Sequence, residues 1–158
     1  MLIRLAQASE LDALVQMRMR LFGDLVDFNQ GKGANEQLLA ATRDYYARAF
    51  DNHECKTWVA EADGKIVATG SLVVFVRPPY PGNTSGKDAY LLNMYTMAEY
   101  RKQGLARKIL QQAMQYAREQ GYGKVWLQAT DDGQPLYASA GFASTSDYME
   151  WEVSQSGA

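Results

Sequence analysis

A short glycine-containing turn between a predicted strand and a predicted helix constrains the fold of this chain more than any other feature. The turn lies in the segment YRKQGLARKIL, residues 100–110. The predicted strand before it covers residues 89–97, and the helical pattern after it covers about 103–120. A strand that runs through a tight turn into a helix indicates a domain in which helices pack against a sheet.

The same turn has the features of an anion-binding site. The first amides of a helix have no partner within the helix, and the helix dipole adds positive charge at that end. Gly104 lets a ligand approach the backbone, and Ala106 keeps the next outward position small. Solvated surface cations are the alternative interpretation, but cations destabilise a helix start unless an anion binds there. The cations of the segment are Arg101, Lys102, Arg107 and Lys108.

Helical and strand patterns alternate along the rest of the chain. Residues 57–76 hold two β-rich runs around Asp63-Gly64, which is a strong hairpin signal. Residues 124–130 and 147–153 have the patterns of two further strands. The complete order is β-αα-βββ-α-β-α-β, which predicts an α/β fold with a mixed (α+β) sheet.

The first predicted helix has an apolar stripe with one charged interruption, Arg18. The segment NQGKGAN, residues 29–35, ends this helix, and a second helix is predicted over 36–50. The apolar residues of the stripe are Leu11, Leu14, Val15, Leu21, Phe22 and Leu25.

Length and composition exclude several classes of protein. A chain of 158 residues predicts one domain over 1–158, and a net charge of −2 weighs against a nucleic-acid partner. The single cysteine, Cys55, excludes an internal disulfide, and with only one histidine, His53, we expect no metal site. There is no apolar run of 18 residues, so we expect no membrane span and a cytoplasmic location.

Two other phosphate-binding motifs are excluded. The P-loop pattern G-x-x-x-x-G-K-[ST] is absent from the sequence. The dinucleotide pattern G-x-G-x-x-G fails at GKG, residues 31–33, because Glu36 stands where the third glycine belongs.

The turn and its surroundings resemble the GNAT superfamily of N-acetyltransferases. The central motif of that family, [Q/R]-x-x-G-x-[G/A], stands here as residues 101–106, RKQGLA. The segment DDGQPLYASAGF, residues 131–142, is similar to the later motif of the family, and residues 3–18 are similar to its first strand and helix. The resemblance covers essentially the whole chain and implies a splayed, mostly antiparallel sheet of about six to seven strands.

The resemblance also implies a cofactor and its binding residues. Acetyl-CoA is the expected acetyl donor, with a primary amine as acceptor and no metal. The strand Met94–Thr96, which includes Tyr95, is expected to pair with the pantetheine arm, and the N–H near Met94 to polarise the thioester carbonyl. Tyr137 matches the family tyrosine that protonates the leaving thiolate. The residues expected at the pyrophosphate are Arg101, Lys102, Gln103, Gly104, Leu105, Ala106 and Arg107.

Several features of the acceptor site stay open. Asn93, Tyr95 and Glu99 are candidates to line it, while no motif identifies a base. Either water or one of three carboxylates could act as the base. The loop 77–88 either covers the acceptor or is a surface loop without a role in binding. A homodimer is expected from folds of this kind, and a non-catalytic acyl-CoA sensor is the alternative function. The candidate bases are Glu54, Asp88 and Glu99.

Overall fold

The computed structural model describes residues 1–24, 32–145 and 147–153. The chain divides into two compact units, Met1–Gln128 and Ala129–Ala158. The described elements, in chain order, are β1 (Leu2–Leu5), a 3-10 helix (Ala8–Glu10), α1 (Leu11–Asp24), α2 (Lys32–Asn52), β2 (Cys55–Ala62), β3 (Lys65–Val76), β4 (Lys87–Thr96), a 3-10 helix (Ala98–Tyr100), α3 (Leu105–Glu119), β5 (Val125–Trp126) and α4 (Gln134–Ser139).

The first unit is built on one mixed sheet with strand order β1-β2-β3-β4-β5. Its first four strands pair antiparallel, and β4 pairs parallel with β5. The predicted hairpin between β2 and β3 is confirmed. Asp63 and Gly64 both have positive φ angles, 50° and 75°, as a tight hairpin turn requires.

Helices cover both faces of this sheet. Thr57 and Trp58 are neighbours on β2, so their side chains point to opposite faces. On the face of Thr57, residues from α1 and α2 pack against Val59 around a core that includes Leu14 and Tyr46. On the other face, the ring of Trp58 packs edge-on against a tyrosine of α3, with ring centroids 5.4 Å apart.

Among the described residues the sheet has five strands, fewer than the expected six to seven. The strand predicted over 124–130 is confined to Val125–Trp126, and the described residues 147–153 form no strand. Alternation of apolar and polar residues indicates which side chains share a face, but a strand also needs a neighbour. Met149 and Trp151 are 93% and 86% exposed, so the alternation at 147–153 does not bury an apolar face.

The predicted helix bounds agree only in part with the structure. α2 begins four residues earlier than predicted, at Lys32, and α3 covers most of the predicted 103–120. Leu25 and residues 29–31 of the predicted helix break lie outside the described residues. Within the described ranges, no helix is long and apolar enough to cross a membrane. In the same ranges, no three His, Cys, Asp or Glu side chains gather as a metal site would need.

Candidate functional site

The turn between β4 and α3 leaves the start of the helix open. Gly104 is the N-cap residue with φ 78°, and no side chain caps the helix. Lys102 also has a positive φ, 61°, so two of three consecutive residues adopt left-handed backbone. A Cβ added at Gly104 would meet no atom within 4 Å. The first amides of α3 therefore face open space that an anion can enter.

The predicted anion-site residues fall into three groups. Arg101, Lys102 and Gln103 form the exposed turn, with Gln103 Nε2 donating to the Glu99 carbonyl at 3.4 Å. Ala106 and Arg107 lie in the first turn of α3, where their backbone amides are at the open end. Leu105 belongs to the same turn, but its side chain is 2% exposed and packs in the core.

Arg101 has a structural role that the sequence did not reveal. Its guanidinium forms an ion pair with Asp24 at 2.6 Å, and its Nε donates to the carbonyl of Thr96 at 2.8 Å. It also lies over the Tyr95 ring, 5.6 Å from the centroid. The hydrogen bond from Arg101 lowers the pKa of Asp24. Arg101 thus ties the end of α1 to the end of β4.

Other cations remain available at the turn. Lys102 and Lys108 are exposed, and neither forms an ion pair with a residue that the structure describes. Arg101 is already paired with Asp24, whereas these lysines and the open backbone amides add positive potential at the turn.

A β-bulge interrupts β4 where the site was predicted. Ser71 pairs with Leu92 and Thr69 with Tyr95, so Asn93 and Met94 together oppose the single residue Gly70. Asn93 has φ 57°, and its carbonyl accepts a hydrogen bond from Thr69 Oγ1 at 2.9 Å. A bulge re-aims side chains and leaves one residue outside the regular ladder. The backbone of β4 therefore departs from the regular ladder at Asn93 and Met94.

Gly70 makes room for this bulge. A Cβ at that position would lie 2.5 Å from Met94 Sδ and 2.5 Å from Ile109 Cγ2 of α3. We expect Gly70→Ala to lower the free energy of unfolding by about 1–3 kcal/mol, because the core around the bulge must shift. Denaturant unfolding measures it. Gly23→Ala is the control, since a Cβ there meets nothing within 4 Å. Equal stability of Gly70→Ala and the wild type would show that the bulge is not tightly packed.

The strands β4 and β5 separate soon after they meet. Only Ala89 pairs with Val125 and Tyr90 with Trp126. Residues 91–96 of β4 thus have no strand partner on this side among the described residues. Backbone N–H and C=O groups along such an edge need other partners, and an extended ligand with amide groups can supply them. Met94, Tyr95 and Thr96 all lie on this stretch.

A buried polar cluster lies beneath the bulge, between the sheet and the helices α1 and α2. Arg18 donates from Nη1 to Asn93 Oδ1, and Asn93 Nδ2 donates to the hydroxyl of Tyr46. Asn93 is 8% exposed. Burial raises the pKa of Tyr46 to about 12, so its hydroxyl stays protonated at neutral pH. Of these residues only Asn93 was predicted; the signal for Arg18 was its place within an apolar helical stripe.

Tyr137 lies in α4 of the second unit. Its ring packs edge-on against Phe142, with centroids 5.9 Å apart, and its carbonyl accepts from the Phe142 amide at 3.0 Å. Gly133 packs closely against the ring, since a Cβ at this position would lie 3.0 Å from Tyr137 Cε2. Tyr137 and Phe142 of the predicted motif therefore pack against each other.

Asp88 is engaged in the fold and is not free to act as a base. It is 0% exposed, pairs with Arg77, and accepts from Tyr80 at 3.0 Å and from the Lys124 amide at 3.0 Å. Burial alone would raise the pKa of Asp88, but hydrogen bonds from Arg77 and Tyr80 outweigh it and lower the pKa below its usual value. Asp88 therefore stays ionised and fixes the loop 77–86 to the start of β5.

The other carboxylates lie at the surface. Glu54 and Glu99 are both exposed. Glu99 borders an open cavity of about 630 Å³ that residues of α1 and the β2–β3 turn also line. Among the described residues, the hydrogen bonds given for Glu54 and Glu99 involve their backbone atoms.

Known structures share this architecture. A predicted acetyltransferase from Clostridium acetobutylicum, solved with acetyl-CoA, has a TM-score of 0.84 and 27% identity, over 96% of this chain and 95% of that one. A GCN5-related N-acetyltransferase from Ralstonia eutropha has a TM-score of 0.83 and 25% identity, over 96% and 97% of the two chains.

Curated relatives match a shorter part of the chain. Probable N-acetyltransferase family 8 member 5 of Mus musculus is 31% identical over 109 residues, which is 67% of this chain and 46% of that protein. N-acetyltransferase 8 of Rattus norvegicus is 32% identical over 103 residues, which is 61% and 45%. The chain thus spans less than half the length of these relatives.

A family profile covers both predicted motifs. The profile of the Acetyltransferase (GNAT) family matches residues 19–142, which include the β4 bulge, the open start of α3 and the α4 motif. On this match over most of its length, the chain belongs to the GNAT family of acetyltransferases.

Proposed function

We propose that the chain transfers an acetyl group from acetyl-CoA to a primary amine of a small molecule or peptide. The observation that carries this proposal is the bulge at Asn93–Met94 on a strand that ends at the open start of α3. One continuous segment, residues 93–107, thus offers an unpaired strand edge and an anion site. The acetyl-CoA in the Clostridium relative supports the choice of donor.

The proposed donor site uses mainly backbone groups. Acetyl-CoA supplies the activated thioester. The amides of residues 103–107 hold the pyrophosphate, with Lys102 and Arg107 adding positive charge. Backbone groups of Met94, Tyr95 and Thr96 pair with the pantetheine amides. The N–H at Met94 donates to the thioester carbonyl and stabilises negative charge on its oxygen.

The proposed transfer has no covalent enzyme intermediate. The amine nitrogen forms a bond to the acetyl carbon, the carbon–sulfur bond breaks, and the Tyr137 hydroxyl gives its proton to the departing sulfur. The amine loses a proton to water, because Asp88 is fully engaged while Glu54 and Glu99 are exposed, and the Tyr137 phenolate regains a proton from water. Holding donor and acceptor together provides most of the rate acceleration.

The domain organisation, cellular location and partners are also proposals. We infer a single functional domain over residues 1–158, a cytoplasmic location and a homodimer. We propose no metal, nucleic-acid or membrane partner. A net charge of −2 supports the lack of a nucleic-acid partner, and the single cysteine, which forms no internal disulfide, supports a reducing compartment.

The proposed function is tested by assaying acetyl transfer. The protein is mixed with acetyl-CoA and a panel of primary amines, and release of the CoA thiol is followed. Transfer to at least one amine, with the acetyl amide identified by mass spectrometry, is the expected result. Binding of acetyl-CoA without transfer to any amine would instead support the non-catalytic acyl-CoA sensor.

Gly104→Ala tests the anion site. Alanine at φ 78° costs about 1–2 kcal/mol, and its Cβ would occupy the space proposed for the pyrophosphate. We expect the Kd for acetyl-CoA to rise at least 10-fold, measured by calorimetry. Gly64→Ala is a matched control, because Gly64 has φ 75° and equally open surroundings but lies in the β2–β3 turn. Equal losses of affinity in the two variants would contradict the proposed position of the site.

A further inference from the structure

The Arg18 guanidinium has N–H donors beyond the one that bonds Asn93. The residue is partly buried in α1, and its guanidinium lies over the ring of Phe22, 4.7 Å from the centroid. Among the described residues its Nη1 donates to Asn93 Oδ1, whereas a guanidinium carries five N–H donors. In the part of the chain that the structure describes, no carboxylate lies within ion-pair distance of it. By contrast, the partly buried Arg4 pairs with both Glu10 and Glu61.

The position of Arg18 is fixed by its neighbours. Asn93 is held through Nδ2 by the Tyr46 hydroxyl and through its carbonyl by Thr69. The ring of Phe22 supports one face of the guanidinium. These contacts hold a positive charge directly beside the bulge, and no carboxylate of the described residues neutralises it. A guanidinium held in this way is suited to bind a planar anion through two parallel hydrogen bonds.

This charge also discriminates between amines. A cation beside the reaction centre repels acceptors that carry several positive charges, such as polyamines. It also lowers the pKa of a nearby ammonium group and so favours the neutral amine that attacks the thioester. That effect suits a site in which Asp88 is engaged in the fold.

We propose that the acceptor amine carries a carboxylate and that Arg18 binds this carboxylate. The acceptor class is therefore free amino acids and related amines with a carboxylate near the amino group. This inference rests on the proposed acetyl transfer and adds the chemical class of its acceptor. Arg18 is the residue that selects this class, and Asn93 with Tyr46 positions it.

Matched acceptors test the proposal. The standard amino acids are compared with their carboxamides, which keep the amine and side chain but lack the negative charge. Phosphoethanolamine and spermidine represent phosphate-bearing and polycationic amines. We expect kcat/KM for the best amino acid to exceed that of its carboxamide at least 10-fold. Equal values for the pair, or a preference for phosphoethanolamine or spermidine, would overturn the proposal.

Variants of Arg18 separate binding from folding. We expect Arg18→Gln to raise KM for the amino acid roughly 10- to 100-fold with a smaller change in kcat, and to leave its carboxamide nearly unaffected. Arg18→Lys keeps the positive charge but loses the bidentate geometry of the guanidinium. We therefore expect a KM between those of the wild type and Arg18→Gln. Arg20→Gln, an exposed arginine on the same helix, is the control and should behave like the wild type. Equal loss for the amino acid and the carboxamide would indicate a purely structural role.

A binding experiment keeps this inference distinct from the proposed function. The CoA-loaded protein is titrated calorimetrically with N-acetylated amino acids and with their carboxamides, which are the two product types. Binding of the carboxylate form alone, lost in Arg18→Gln but not in Arg20→Gln, supports the inference even if no turnover is seen. Absence of any preference for the carboxylate form overturns it, whereas failure of the proposed function would appear as bound CoA without transfer.

Discussion

Replacement of Tyr137 by phenylalanine is expected to lower kcat about 100-fold while the Kd for acetyl-CoA stays within about twofold. General-acid catalysis contributes about 10²- to 10⁴-fold, and the change removes only the hydroxyl. The ring should keep its packing against Phe142, since phenylalanine has the same shape. Steady-state kinetics and calorimetry with acetyl-CoA measure the two quantities separately.

The pH profile distinguishes an acid from a packing residue. If Tyr137 donates a proton, kcat of the wild type falls at high pH as the acid ionises, and the phenylalanine variant lacks this fall. Tyr148→Phe serves as a control in the same unit, because the Tyr148 hydroxyl is exposed and donates to Glu150 at 2.6 Å. Unchanged kcat in Tyr137→Phe would remove the acid from the mechanism and leave water to protonate the thiolate.

The second large effect is expected in stability rather than in rate. Asp88→Asn should lower the free energy of unfolding by about 3 kcal/mol, because breaking a buried ion pair from one side leaves its partners unsatisfied. The carboxylate pairs with Arg77, and it accepts hydrogen bonds from Tyr80, Asn83 and Lys124. An amide that presents an N–H to these donors cannot replace it. Denaturant unfolding at neutral pH measures the change.

The pH dependence of this effect follows from the pKa of Asp88. The folded-state pKa is lower than that of an unfolded aspartate, which is about 3.9. The stabilisation is therefore fully present above about pH 5 and is lost as the pH falls through the folded-state pKa. The difference in free energy of unfolding between the wild type and Asp88→Asn should become smaller below about pH 4. A difference in free energy of unfolding that stays constant down to low pH would contradict the lowered pKa of Asp88.

An exposed ion pair provides the control for Asp88. Asp12 pairs with Arg43, and their side chains are 74% and 57% exposed. Asp12→Asn should change the free energy of unfolding by less than about 1 kcal/mol, since exposed pairs contribute little. A comparable loss in both variants would mean that removing any carboxylate destabilises this chain.

Local features of the fold were predictable from the sequence. The Asp63-Gly64 hairpin and the Gly104 turn depend on backbone conformations that glycine and aspartate favour locally. The start of α3 as an open helix end follows from the same residues. These elements need no information about distant parts of the chain.

Features that depend on tertiary contacts were not predictable. Arg18 and Asn93 are 75 residues apart in sequence, and Asn93 and Tyr46 are 47 apart, so only the folded sheet brings them together. The ion pair of Arg101 with Asp24, 77 residues away in sequence, was likewise not predictable. The predicted strand 147–153 was wrong for a related reason, since alternation does not reveal whether a neighbouring strand exists.

The central claim is that residues 93–107 form an acetyl-CoA site, and calorimetric titration with acetyl-CoA tests it most directly. ATP and NAD serve as controls because they also carry phosphates but lack the pantetheine arm. The account predicts micromolar binding of acetyl-CoA, weakened at least 10-fold in Gly104→Ala, and far weaker binding of ATP and NAD. No binding at millimolar acetyl-CoA, or equal binding of all three ligands, would contradict it.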